Sequence, residues 1–380
     1  MAITTDREPL VLHEQAVTER KTRPVMVWAV IGAIFLAIEA YAVIGWIVSG
    51  NATATPHGAT PIPTWDKWVL DGWQALGVPC LLVFLWHFLV KPWRKEGHIT
   101  TDGLLCLVFG TIWWQDPMSN WSSVSFTYNS YMLNFGNWTH NIPGWPLPHS
   151  NQIAEPTLWV DPIYIYLVFG AAVVGSVLMR KIKARWPEMG TFGILSLTFL
   201  TFMVFDALLE PILMALGFWS YPSTVPWLTL WHGTRFQYPI YEAFFWGGVW
   251  TLWASVRYFR DDKGETLAER GIDQVRVSGK KKTGLRFLAL AGICNFLFLF
   301  AYNVPIQFFV IHQANWPSSI SNRSYLTDNL CGPGTTYICS GKYVPIPIGN
   351  GSAHVTPTGS LFLPAGSKLP ATVPELTKRP

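Results

Sequence analysis

An all-α polytopic membrane protein, a bundle of seven transmembrane helices, is the fold class this chain predicts, and three observations carry it. Half of its 380 residues are hydrophobic and only 13% are charged, a balance that excludes a disordered chain and points away from an ordinary soluble domain. Apolar runs of about 20 residues, the length needed to cross a bilayer core, recur along the sequence. The loops between them alternate between rich and poor in lysine and arginine.

The runs are 25–49, 68–90, 103–121, 158–179, 191–218, 237–258 and 285–310. The first begins after 24 polar residues and lacks a clear small-residue cleavage site, so it reads as a helix rather than a cleaved signal peptide. Basic residues stay on the cytoplasmic side of short loops. They occupy the N-terminal tail (Arg7, Arg20, Lys21, Arg23), the 91–102 loop (Lys91, Arg94, Lys95), the 180–190 loop (Arg180, Lys181, Lys183, Arg185) and the 257–286 segment, which holds nine. The intervening loops carry Lys67, none and Arg235. The N-terminus is therefore expected inside and the C-terminus outside. The net charge of +4 records this asymmetry, so the basic segment around Lys280, Lys281 and Lys282 reads as a lipid-headgroup and stop-transfer signal and not as a nucleic-acid site.

Three regions follow: a cytoplasmic tail (1–24), the membrane domain (25–310) and an extracytoplasmic tail (311–380) rich in Pro, Gly, Ser and Thr, which reads as irregular. The 122–157 loop, with Tyr128, Tyr131, Phe135, Trp138 and Trp145, reads as a lid or an interfacial structure. Cys80, Cys106 and Cys294 fall within helices as small apolar residues. Cys331 and Cys339 bracket a Gly-Pro-Gly turn in the outer tail, where an oxidising compartment allows a disulfide. No metal site is expected there, with His312 and His354 the only tail histidines.

Four carboxylic acids, Asp116, Asp206, Glu210 and Glu242, lie inside the apolar runs with no lysine or arginine at the same depth. Each costs at least about 2.5 to 3.5 kcal/mol to insert, so together they mark a functional site. Counting from the membrane faces at about 1.5 Å per residue puts all four in the outer half. Asp161, Asp71 and Asn303 join that layer, and Glu39 lies deeper. Asp206 and Glu210 share a helix face one turn apart, and Tyr238, Glu242 and Trp246 are expected to form a stripe on the sixth helix. Pro117 and Pro211 follow acids directly and free a carbonyl one turn back, so a protonated carboxyl could bond that carbonyl, or the acids could bond neighbouring hydroxyls and tryptophans, and merely lock helices together.

The alternative is chemistry. A low dielectric divides clustered acids into neutral donors and ionised acceptors, which suits acid–base catalysis on an apolar substrate. Trp113, Trp114, Trp121, Trp219, Tyr221, Tyr238 and Trp246 offer ring faces to a developing cation, although interfacial anchoring is the commoner use of tryptophan. His232 and Arg235, before the sixth helix, are close enough in depth to reach Glu242 or a polar substrate group. No phosphate loop, nucleophile elbow or zinc-type histidine pair appears, and no cofactor is implied. The expected partners are the bilayer and a lipophilic small molecule, with the oligomeric state left open.

The chain resembles the AveC-like spirocyclase family of bacterial integral-membrane proteins. The resemblance rests on Trp114-Gln115-Asp116-Pro117, Phe205-Asp206 through Glu210-Pro211, Gly217 through Trp219-Ser220-Tyr221-Pro222, Tyr238-Pro239-Ile240-Tyr241-Glu242-Ala243, and Arg257 through Arg260-Asp261-Asp262 to Glu269-Arg270-Gly271. It spans roughly residues 25 to 345. The segment from Asp206 to Tyr221 is also similar to the acid-Pro-Gly-Trp pattern of membrane carotenoid cyclases and hydratases. The family resemblance implies a bacterial plasma-membrane protein that closes a dihydroxy-ketone polyketide into a spiroketal, with an associated dehydration. Glu210 and Glu242 are the expected proton-transfer pair, with Asp206 and Asp116 in support. Two other readings compete. A proton-coupled carrier would show paired halves and interrupted helices near the midplane; a noncatalytic lipid-binding or assembly protein would use the acids structurally.

Overall fold

The computed structural model describes residues 23–147, 150–331, 354–355 and 361–363. Helical segments stand at each of the expected positions: α1 (Pro24–Val48), α2 (Thr64–Glu96), α3 (Thr101–Ile112), α4 (Val160–Arg185), α5 (Thr191–Ala215), α6 (Ile240–Tyr258) and α7 (Gly279–Val310). Five of them, α1, α2, α4, α5 and α7, are long and apolar enough to cross a membrane. α3 stops after 12 residues and tightens into a 3-10 helix over Trp113–Asn120, where Pro117 sits. α6 is 19 residues long and carries Glu242, Arg257 and three tryptophans. Both are largely buried, through Leu104, Val108 and Phe109 on α3 and Val249, Trp253 and Ala254 on α6. A helix that meets other helices has less need of an apolar surface than one that meets lipid.

The outward faces of α1 and α5 are apolar instead. Val27, Val30 and Ile34 on α1 and Val204, Leu208 and Ile212 on α5 are exposed, the arrangement lipid rewards. α1 crosses α7 closely because glycines face each other there: a Cβ on Gly32 would lie 1.9 Å from the Leu288 carbonyl oxygen. Phe109, Phe169, Trp253 and Phe298 interlock at the centre, with ring centroids 5.0 to 5.6 Å apart.

Three of the helices contain one wide π turn each: Leu85–Val90 in α2, Tyr164–Phe169 in α4 and Leu299–Asn303 in α7. A proline lies within two residues of each (Pro92, Pro162, Pro305). Proline removes an amide donor and disturbs the ladder locally.

The two ends of the bundle differ. At the basic end, Asp102 takes a bidentate contact from Arg257 at 3.0 and 2.7 Å and a third from Arg260 at 3.1 Å. Arg286 ties Glu269 and Thr101 into the same clasp. The Arg257-to-Gly271 motif thus closes this end, far from the membrane acids.

The opposite end carries a folded cap made from 50–63, 121–147, 150–159, 216–239 and 311–331. Strand β1 (Thr127–Tyr128) pairs antiparallel with β2 (Trp219–Ser220), and β3 (Thr229–Leu230) with β4 (Tyr238–Pro239). Asn120 Oδ1 accepts the amides of Ser125 and Phe126 and turns the chain back over the bundle. Thr127 and Ser220 both donate to the Leu326 carbonyl, and Asp328 accepts the Ala154 amide. The start of the expected irregular tail is therefore ordered: a helical turn at Ser318–Ser321 buries Ile320, followed by buried Tyr325 and Leu326. Farther on, β5 (His354–Val355) pairs with β6 (Leu361–Phe362). Cys80, Cys106 and Cys294 are free thiols, the last two buried. Cys331 is disulfide-bonded; its expected partner, Cys339, lies outside the described residues.

Candidate active site

Asp206 and Glu210 lie one turn apart on α5 with Leu213 on the same buried face, while Leu208 and Ile212 point outward. The spacing of four residues produces this stripe. Glu242 enters from the first turn of α6, and Asp116 from the 3-10 turn that ends α3. Four chain segments therefore converge, counting the cap, and all four acids face inward. Glu210 lies within electrostatic reach of Asp206, Glu242 and Asp116.

Each acid is held by a tyrosine from a different element. Tyr238, on β4, donates to Asp206 Oδ2 at 2.9 Å. Tyr221, just past β2, donates to Glu210 Oε2 at 2.7 Å. Tyr302, on the π turn of α7, donates to Glu242 Oε2 at 2.7 Å. Asp116 receives two phenols, Tyr128 from β1 at 2.9 Å and Tyr164 from the π turn of α4 at 2.7 Å. A phenol donating to a carboxyl group makes a bond that is strongest where the carboxyl is ionised. The acids bond, among the described residues, tyrosine hydroxyls and not the carbonyls freed by Pro117 and Pro211, so these contacts match the hydroxyl form of the locking alternative and not its carbonyl form. Among the described residues, Asp206, Glu210 and Glu242 each make one hydrogen bond, so a second oxygen is left over.

A cavity of about 80 Å³ lies between these groups, large enough for several water molecules. Asp116, Asp206 and Glu210 line it, with Tyr128, Tyr164, Tyr221 and Tyr302. Apart from Ser119, its remaining wall is apolar and aromatic, including Trp159, Trp219, Trp246 and Phe298, and among the described residues it contains no lysine, arginine or histidine. Glu242 sits behind Tyr302 rather than on the wall. Two of the wall tyrosines come from π turns, a feature common at functional sites.

Of the other residues singled out in the sequence, Trp219, Tyr221 and Trp246 line the cavity. Tyr238 reaches Asp206 from the strand before α6, so the expected helical stripe of Tyr238, Glu242 and Trp246 starts one element early. Trp113 packs edge-on against Trp138 with centroids 4.4 Å apart. Trp114 donates to Asn295 Oδ1 at 3.0 Å, and Gln115 bonds the same oxygen at 2.8 Å. Asn303 donates to Gln115 Oε1 at 3.4 Å, extending a chain of amides that zips the 3-10 turn to α7. Trp121 is partly exposed against Trp145. Asp161 is half-buried near Glu39. His232 is exposed beside Thr224, and Arg235 stacks over Phe236. None of these seven is on the cavity wall.

One acid was not anticipated. Glu155, from the 122–157 loop, is 2% exposed and its carboxyl is within hydrogen-bonding reach of Asp116. Burial first, and then the Asp116 charge beside it, push Glu155 well above the usual carboxylate range. The Glu155-Pro156 pair repeats the acid–proline dipeptide of Asp116-Pro117, Asp161-Pro162 and Glu210-Pro211, and that repetition was the signal available in the sequence.

The arrangement offers carboxyl oxygens, phenolic donors and ring faces around one apolar space. Such a set can move protons and stabilise positive charge. Among the described residues, no group of three or more His, Cys, Asp or Glu side chains is placed to hold a metal ion. The family model described as Spirocyclase AveC-like matches residues 96–326, a span that contains all four membrane acids, Glu155 and the five tyrosines. No curated protein and no solved structure matches the chain.

Proposed function

The chain belongs to the spirocyclase AveC-like family, and from that premise we propose that it is a membrane-embedded cyclase and dehydratase closing a lipophilic hydroxy-ketone into a spiroketal-type product. The observation that carries the reading is the tyrosine-held acid cluster around a cavity whose wall, among the described residues, has no basic side chain. A neutral or transiently cationic substrate suits that wall, since an anionic one would meet carboxylates with no counter-charge. The cavity volume fits the reacting carbon and its oxygens, with the rest of the lipophile lying among the aromatic rings.

In the proposed sequence, one substrate hydroxyl adds to the ketone and forms a hemiketal. Protonated Glu210 then gives its proton to the hemiketal hydroxyl, the C–O bond breaks and water leaves, and an oxocarbenium ion remains. The second hydroxyl attacks that carbon and passes its proton to the Tyr302 phenol oxygen as Tyr302 gives its own proton to ionised Glu242, and return of that proton from Glu242 to Glu210 restores the starting state. Asp206 and Asp116 hold negative charge near the cation, and Trp219 and Trp246 offer ring faces worth up to about 2 kcal/mol in a dry site. The net change is loss of one water. Glu242 reaches the substrate through Tyr302, which stands between it and the cavity. In this reading α3 with its 3-10 extension and α6 also cross the membrane, making seven crossings in a bacterial plasma membrane. The basic end then faces the cytoplasm and the cap faces outward.

Comparison of extracted metabolites from a deletion strain and its complemented counterpart identifies the substrate as the hydroxy-ketone or allylic alcohol that accumulates. The purified protein should convert that compound with loss of water, and Glu210→Gln and Glu242→Gln should abolish conversion while the protein stays folded. Full activity in both variants rejects the assignment.

A further inference from the structure

Asp116 differs from the other three acids. Tyr128 and Tyr164 occupy one oxygen each, at 2.9 and 2.7 Å, and the Glu155 carboxyl adds a third contact. A carboxylate accepts on both oxygens but donates nothing unless protonated. With two phenols already donating to it, Asp116 is arranged as an acceptor, and a carboxyl–carboxyl hydrogen bond then requires the proton to be on Glu155. Asp206, Glu210 and Glu242 each have a single tyrosine, which leaves them free to exchange a proton with a ligand.

Glu155 itself is fixed from behind. The neighbouring Ala154 amide is bound by Asp328 at 3.0 Å, Pro156 forms an isolated antiparallel bridge with Asn134, and both Glu155 and Asp328 are buried. Among the described residues, the charged and titratable groups facing Glu155 are the carboxyls of Asp116, Asp161 and Asp328 and the phenols of Tyr128 and Tyr164, and none of them is a cation that would stabilise its ionised form. Glu155 is absent from the cavity wall while Asp116 is on it. Whatever Glu155 does to a ligand, it does through Asp116.

We propose that Glu155 is a positioning residue: a neutral carboxyl, delivered by the cap, that donates a hydrogen bond to Asp116 and keeps it as the fixed negative counter-charge of the cavity. This rests on the cyclase reading, in which Asp116 stabilises the oxocarbenium ion and does not transfer a proton. It also gives the 122–157 loop a chemical task, since the loop supplies Tyr128 as well as Glu155 to one carboxylate.

Two measurements separate this inference from the reading it rests on. Infrared spectroscopy of the purified protein in detergent requires no substrate. The wild type should show a protonated-carboxyl stretching band, shifted by deuterium exchange, that Glu155→Gln removes. A spectrum unchanged by that substitution overturns the proposal even if the protein proves to be a cyclase. With the accumulating substrate in hand, Glu155→Gln should keep kcat within about threefold, because the amide still donates, whereas Glu155→Leu should lower kcat roughly ten- to a hundredfold, the range of a lost hydrogen bond to a charged group, with KM little changed. In an Asp116→Asn background, Glu155→Leu should add no further loss. Wild-type kcat in Glu155→Leu, or full additivity with Asp116→Asn, overturns the proposal. Should Glu155→Leu fail to fold, the infrared result and the kcat of Glu155→Gln still decide it.

Discussion

Tyr302 donates its phenol proton to Glu242 from a π turn of α7, and at 2.7 Å the bond places an aromatic hydroxyl between a buried acid and the cavity. The same pairing recurs at Glu210 with Tyr221 and at Asp206 with Tyr238. Removing the phenol leaves a buried carboxyl without its donor, which costs about 1 to 3 kcal/mol. Tyr302→Phe should therefore lower both thermal stability in detergent and turnover, the latter roughly ten- to a hundredfold by the same range. Combined with Glu242→Gln it should cost little beyond the acid substitution alone, because the two groups act as a unit. Additive losses, followed by product formation and thermal melting, would show that Tyr302 serves something other than Glu242.

The helices and the acids were legible in the sequence because each depends on a local signal, namely a long apolar run or a carboxyl group within it. The stripe of Asp206 and Glu210 follows from helical spacing alone. The tyrosines were not all legible, since Tyr128, Tyr164 and Tyr302 reach their acids across chain separations of 12, 48 and 60 residues. Nothing in an aromatic-rich chain separates such a residue from an interfacial anchor. Trp114 and Asn303 share the depth of the acids, yet their side chains serve the amide zipper through Asn295 and Gln115. Depth along a helix is set by counting residues, whereas direction around it is set by packing partners that the sequence does not name. Glu155 was hidden for a related reason: a loop residue has no periodicity from which its direction can be read.

The crossing of α1 and α7 tolerates no added atom. A Cβ on Gly32 would fall 1.9 Å from the Leu288 oxygen, and one on Gly292 would fall 2.0 Å from the Trp28 oxygen. Both obstacles are backbone, which cannot rotate aside. Small residues at such contacts let membrane helices approach closely. Gly32→Ala and Gly292→Ala should each destabilise the bundle by about 1 to 3 kcal/mol, the usual cost of overpacking, read as a lower melting temperature in detergent. Gly248 on α6 has no neighbouring atom within 4 Å of its would-be Cβ, so Gly248→Ala should leave the melting temperature unchanged or slightly higher. Equal effects at the three positions would contradict the close crossing.

The cap carries its own pH dependence. Burial pushes Glu155 well above its ordinary value of 4.5, with the Asp116 charge adding to the effect, and burial does the same to Asp328 above its ordinary 3.8. An acid raised in this way keeps its proton in the folded chain at pH values where the unfolded chain has lost it. The fold then binds more protons than the unfolded state, so stability falls as pH rises. The contribution is fully present below the unfolded values of 4.5 and 3.8 and is lost progressively as pH climbs toward the raised folded values. Thermal melting of the purified protein should therefore show a cap-linked decline from weakly acid to alkaline pH. Glu155→Gln and Asp328→Asn, which have no proton to lose, should each flatten that decline, and the double variant should flatten it further. A decline of unchanged slope in both single variants would mean that these two carboxyls ionise in the folded cap as readily as in the unfolded chain.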